Sequence, residues 1–102
     1  MRIDAATMTA TANRVGPVLR MVDEVDAVVR AIIEDNPDKE IEVLDRGAYI
    51  RVQAEWCLRV SRATIERHIG RPYPMREFEH MLASFAGRIR MTSDEVVWQY
   101  NE

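Results

Sequence analysis

A glutamate and a histidine three residues apart, within Glu77-Phe-Glu-His80, form the pair best spaced to hold a metal. On a helix that spacing puts both side chains on one face, as in diiron carboxylate bundles. Such a centre needs two of these pairs and two further carboxylates on long inward-facing helices. This chain has one pair on a short segment, so the plainer reading is a solvated charged face opposite Phe78 and Met81. Cys57, His68 and His80 could offer three zinc ligands, but their spacing fits no finger, ribbon or metalloprotease pattern. Ser61, Ser84 and Ser93 occupy no Gly-x-Ser-x-Gly elbow, and Cys57 has no His in a recognisable family context. Val15-Gly-Pro and Ile69-Gly-Arg-Pro lack the glycine spacing that cradles phosphate. The expectation is therefore no catalytic residue, no metal and no cofactor. A domain without such groups works by touching something else.

The elements that would position these residues follow from apolar periodicity. Residues 1–13 are rich in Ala and Thr with no apolar period, which predicts a flexible N-terminal tail. Val15 to Val22 is β-branched and predicts a strand, restricted by Pro17 to an edge or an irregular start. Asp23 stands at the expected N-cap of a helix whose apolar face is Val25, Val28, Val29, Ile32 and Ile33. Pro37 disfavours helical geometry at Asn36, so the helix stops there. The period then falls to 2: Ile41 and Val43, a turn at Gly47, then Ile50, Val52 and Ala54 alternating with Tyr49, Arg51 and Gln53. That is a hairpin with one wet face. Trp56, Leu58 and Val60 predict a further strand, with Cys57, Arg59 and Ser61 on its other side.

Ser61 is a plausible N-cap for a short helix carrying Ile65 and Ile69 and ended by Gly70. After Pro72 and Pro74, a helix places Met75, Phe78, Met81 and Leu82 on one side. Ala86–Met91 and Val96–Tyr100 are expected as two closing strands, with Thr92-Ser-Asp-Glu95 as their turn. The order strand, helix, strand, strand occurs twice, which predicts an α+β domain of two βαββ units over residues 14–102, with mainly antiparallel sheet. Methionines and aromatics sit mostly at core spacing and are read as packing.

The bulk numbers agree with one domain of this kind. The chain has 102 residues, 47% hydrophobic and 30% charged. Its net charge is −3 and its arginines are interleaved with acids, which argues against nucleic acid. Apolar runs fall far short of the roughly 20 residues that cross a bilayer, and no signal-like segment opens the chain, so a cytoplasmic location is expected. Lone Cys57 excludes an internal disulfide framework and fits a reducing compartment.

Four ordered stretches carry a family resemblance: Val15-Gly-Pro-Val-Leu-Arg20; Ile33-Glu-Asp-Asn-Pro37 with Lys39-Glu-Ile41; Asp45-Arg46 with Tyr49; and Ile69-Gly-Arg-Pro-Tyr73 with Met75. A fifth is Leu82-Ala-Ser-Phe-Ala-Gly-Arg-Ile89. In this order the chain resembles the effector, or coupling, proteins of bacterial multicomponent diiron monooxygenases, the fifth stretch looking nearest to the toluene branch. The resemblance implies two βαββ units and a cofactorless protein, not itself an enzyme. Its partner would be the diiron hydroxylase component, whose substrate access, oxygen activation and coupling it would tune. An aromatic hydrocarbon or small alkene would be the hydroxylase's substrate, and the free effector would be a monomer.

The expected hydroxylase-binding residues are Asn36, Pro37, Arg51, Ser84, Phe85, Ala86 and Gly87. Asn36 is expected to present its amide at a fixed turn, the alternative being an Asn that merely terminates the helix. Phe85 is expected to anchor in a partner groove and Gly87 to permit close approach; alternatively Phe85 fills the core and Gly87 starts a strand. Two other function classes remain open at this point. One is a ferredoxin-like ligand-binding regulatory domain. The other is a small cofactorless dimeric oxygenase or isomerase with His68 or His80 as base.

Overall fold

The computed structural model describes residues 13–100. The tail expected over residues 1–13 therefore lies, but for Asn13, outside the described residues. The chain runs β1 (Arg14–Arg20), α1 (Val25–Asp35), β2 (Glu42–Asp45), β3 (Tyr49–Glu55), β4 (Cys57–Ser61), α2 (Arg62–Ile69), α3 (Met75–Met81), β5 (Leu82–Ala86), β6 (Arg88–Met91) and β7 (Glu95–Gln99). Among the described residues seven strands make two antiparallel sheets, ordered β2-β3-β1-β5 and β4-β7-β6. The α+β class and the antiparallel pairing are as expected from the sequence. The second βαββ unit differs by one additional strand. Expected as a single run, Ala86–Met91 is cut at Gly87, whose φ of +93° turns the chain out of the first sheet and into the second.

Two further expectations are corrected. Leu82 is the first residue of β5 and not part of α3, which ends at Met81. Trp56 is not in a strand: it sits at φ +71° between β3 and β4, half exposed. Trp56 and Gly87 are thus the corners at which consecutive strands pass from the first sheet to the second. The bulky Trp56 adopts this unfavourable conformation with support on three sides. Its N–H donates to the Asn13 carbonyl (3.0 Å), its carbonyl accepts from the Tyr100 N–H (2.9 Å), and its ring meets Tyr100 edge-on at 5.4 Å.

Alternation in the strands aims Val15, Leu19, Ile50, Val52, Ala54, Leu58, Val60, Val96 and Trp98 at one core. Val25, Val28, Val29 and Ile32 supply the face of α1 that covers it, and burial of such side chains, each contributing roughly 1.5–3 kcal/mol, offsets the modest helix propensity of β-branched residues. Phe78 of α3 closes the core against Trp98, with ring centroids 5.9 Å apart. α1 starts after Glu24 and not after an Asp23 cap, and Glu24 makes no capping side-chain bond; Asp26 in the first turn answers the helix dipole instead. At α2 the expectation holds: Ser61 Oγ accepts from the Thr64 N–H, and Gly70 ends the helix in the left-handed conformation.

The end of α1 is tied to β4, an edge strand of the second sheet. Asn36 Nδ2 donates to the carbonyls of Ile32 (2.6 Å) and Arg59 (2.7 Å), and its Oδ1 accepts from the Arg59 N–H at 3.2 Å. Asp35 accepts from the Ser61 N–H (2.7 Å) and the Thr64 hydroxyl (2.8 Å). Two side chains thereby satisfy β4 backbone groups that an edge strand otherwise leaves open.

Tyr73 is 1% exposed, and no protein group among the described residues bonds its hydroxyl. Burial, reinforced by the carboxylates of Glu77 and Glu24, pushes its phenol up to about 12. A raised folded-state value favours the fold fully below the ordinary phenol range near 10, and that contribution is lost as pH climbs through about 12. Phenolate absorbance should therefore show a transition near pH 12 that is absent from Tyr73→Phe, and the same substitution should flatten the loss of stability between those limits. Ionisation of Tyr73 near pH 10, while the protein is still folded, would contradict this.

Candidate docking face

Strand alternation sends Tyr49, Arg51 and Gln53 of β3 away from the core. Arg51 is paired with Leu44 of β2 on one side and with Val18 of β1 on the other, and Val18 is paired with Ser84 of β5. Leu44, Arg51, Val18 and Ser84 thus form one row across all four strands of the first sheet. Ala86, opposite Gly16, lies on the same side as Ser84. The middle of this face is a shallow hollow lined by Val18, Leu44, Tyr49 and Arg51, with Glu42 and Gln53 at its end. Arg51 is in no ion pair among the described residues, so its guanidinium is available to an incoming group.

Phe85, opposite Pro17 on the edge strand β5, is 42% exposed. It is not among the buried residues of the core. Gly87 is also exposed, and a Cβ there would meet the Gln99 carbonyl oxygen and Val15 Cγ1, each at 2.7 Å, so no side chain fits between the backbone and its surroundings. Arg51, Ser84 and Ala86 therefore share one face, whereas Phe85, between Ser84 and Ala86 and opposite buried Pro17, is turned to the other side of β5 and owes its exposure to the open edge of the sheet; Gly87 follows at the corner. Pro37 is exposed at the end of α1, on another part of the molecule. Asn36 is 6% exposed, and the expectation of a presented amide is corrected: both polar atoms are engaged with backbone. Val18, Leu44 and Tyr49 are not among the docking residues expected from the sequence. The alternation of β3 identified a wet face, but which residues join it across strands depends on register.

Of the side chains first suspected of chemistry, those of Glu77 and His68 are engaged in ion pairs or hydrogen bonds. Glu77 pairs with Arg71 at 3.1 Å; the His80 backbone carbonyl accepts from Arg20 at 2.8 Å, while its imidazole is exposed and makes no hydrogen bond among the described residues. His68 Nε2 lies 2.8 Å from Glu34, and that hydrogen bond, followed by the one from Arg67, holds the Glu34 carboxyl below its ordinary range. Cys57 is a half-buried strand thiol. Among the described residues no group of three potential ligands is placed to hold a metal ion, and no helix is long and apolar enough to cross a membrane.

Comparison with known proteins bears on what meets this face. Residues 13–99 match the MmoB/DmpM family. The chain is 42% identical over 88 residues to the effector subunit of an alkene monooxygenase system from Xanthobacter autotrophicus (strain ATCC BAA-1158 / Py2), covering 86% of this chain and 87% of that protein. It is 31% identical over 78 residues to the stimulatory component DmpM of phenol 2-monooxygenase from Pseudomonas sp. (strain CF600), covering 76% and 84%. Among solved structures, a chain of a phenol hydroxylase–regulatory protein complex superposes with a TM-score of 0.74 at 32% identity, over 86% of this chain and 99% of that one. The soluble methane monooxygenase regulatory protein B shares the fold, with a TM-score of 0.65 at 20% identity over 87% and 66%.

Proposed function

This chain belongs to the MmoB/DmpM family, and we propose that it is the effector subunit of a multicomponent monooxygenase, a non-catalytic partner of the hydroxylase component. The observation that carries the reading is the 42% identity to an alkene monooxygenase effector across 86% of this chain. Residues 14–102 form the effector domain. It docks through the open face of the first sheet and its exposed β5 edge, with Arg51 on the face reaching a polar group of the hydroxylase, Phe85 at the edge entering an apolar groove, and Ser84, Ala86 and Gly87 allowing close approach. The hydroxylase's substrate is an alkene or an aromatic compound, a range supported by the alkene and phenol relatives. A cytoplasmic location is supported by the free thiol of Cys57.

Docking changes the hydroxylase only to the extent that one of its conformations binds the effector better than another. A swing from mostly inactive to mostly active needs about 5 kcal/mol of differential affinity, within reach of a small patch with one aromatic anchor. Added to a matching hydroxylase with its electron supply, the protein should raise turnover and saturate near one effector per active site. Phe85→Ala should keep its melting temperature within a few degrees while weakening hydroxylase binding about tenfold or more, as loss of an anchor does. Turnover unaffected by the wild-type protein would sink the effector reading. A large fall in Phe85→Ala stability would instead return that ring to the core.

A further inference from the structure

We infer that the outer face of the β4-β7-β6 sheet is a second docking surface, an arginine-lined one that receives a carboxylate-rich patch of the same hydroxylase; this rests on the effector reading. Leu58, Val60, Val96 and Trp98 point into the core, so alternation sends Arg59 of β4, Val97 of β7 and Arg88 and Arg90 of β6 outward. Register makes a row of Arg59, Val97 and Arg90, with Arg88 beside it opposite Gln99. Among the described residues Glu95 is the one carboxylate within this array, 3.2 Å from Arg59 and 3.9 Å from Arg90. Arg88 is in no ion pair among the described residues. Three arginines against one glutamate give this face a sign opposite to that of the whole chain, whose net charge is −3.

The partner's chemistry follows from what is presented. Val97 lies in the middle of the row yet is 8% exposed, as expected where long arginine stems lie over an aliphatic neighbour. An incoming surface thus meets guanidinium groups, whose planar forks suit carboxylates. Three such groups on an acidic chain are a poor match for the continuous charge of a nucleic-acid backbone. Gly87 and Arg88 are consecutive and both exposed, so the arginine face meets the first docking face at the Gly87 corner. One partner touching Gly87 is within reach of Arg88.

The test is association kinetics between the full chain and the matching hydroxylase at about 50 mM and about 500 mM salt, where screening lengths differ severalfold. Arg88→Gln with Arg90→Gln should slow association about five- to tenfold at low salt, converge with the wild type at high salt, and leave the melting temperature unchanged. Glu95→Gln should act in the opposite direction and speed association two- to threefold at low salt. Wild-type binding with rates that these substitutions leave alone at both salts would overturn the inference while leaving the effector reading standing. No binding by the wild type would remove both. Binding of anionic phosphatidylglycerol vesicles or duplex DNA through the same arginines, with hydroxylase association unchanged, would overturn it in favour of a general polyanion site.

Discussion

Gly16→Ala is expected to cost about 4 kcal/mol or more, the largest effect of any single-methyl addition in this molecule. Gly16 is buried in β1 with φ +140°, a region essentially closed to residues with a Cβ. The added carbon would fall well inside the radius of the Val52 carbonyl oxygen, with Leu58 Cδ1 a further 3.0 Å contact. β3 cannot withdraw without opening the first sheet, nor Leu58 without opening the core, since Val52 sits in the middle of β3 and Leu58 is fully buried. With stability of roughly 5–15 kcal/mol for a domain, the melting temperature should drop by about 15–30 °C. Thermal unfolding followed by circular dichroism measures this. A drop of only a few degrees would mean that β1 can shift against β3 as the structure gives no sign of allowing.

Asn36→Ala is the second large effect, expected to destabilise by about 2–4 kcal/mol. Truncation removes three hydrogen bonds at once and leaves the Arg59 N–H and the Ile32 and Arg59 carbonyls to be satisfied otherwise. The sequence supported another outcome, weakened docking with an unchanged melting temperature, because an Asn before Pro37 reads as a presented turn residue. Burial of the side chain reverses that expectation. Asn36→Asp is the informative companion: it keeps the shape but sets a carboxylate against two carbonyls, and should be at least as harmful as alanine. Chemical denaturation compares the two. Stability of both variants within about 0.5 kcal/mol of the wild type, with binding lost, would restore Asn36 to the docking surface.

The contrast between Asn36 and Ser61 shows what was legible in the chain. Ser61 caps α2 through the Thr64 N–H three residues away, a contact that local spacing predicts. The partner of Asn36 is Arg59, 23 residues on, and nothing near Asn36 announces it. The same division holds for the docking face. Alternation in Ile50-Arg51-Val52 gave a wet side to β3, whereas the row joining Arg51 to Leu44, Val18 and Ser84 depends on strand order. The resemblance over residues 82–89 drew attention to Phe85 and Gly87. The periodicity alone ran Ala86–Met91 together, because a glycine can continue a strand as readily as turn it.

Trp56 has an optical consequence. The protein has two indoles, and they stand at opposite extremes: Trp98 fully buried against Phe78, Trp56 half in water at a corner between the sheets. Indole emission shifts to the red with hydration, so the intrinsic fluorescence superposes a blue component from the core and a red one from the corner. Collisional quenchers in solution have access to the second and not to the first. The molecule therefore carries an unlabelled gauge of two kinds, one reporting the integrity of the core and the other reporting what comes to rest beside the corner.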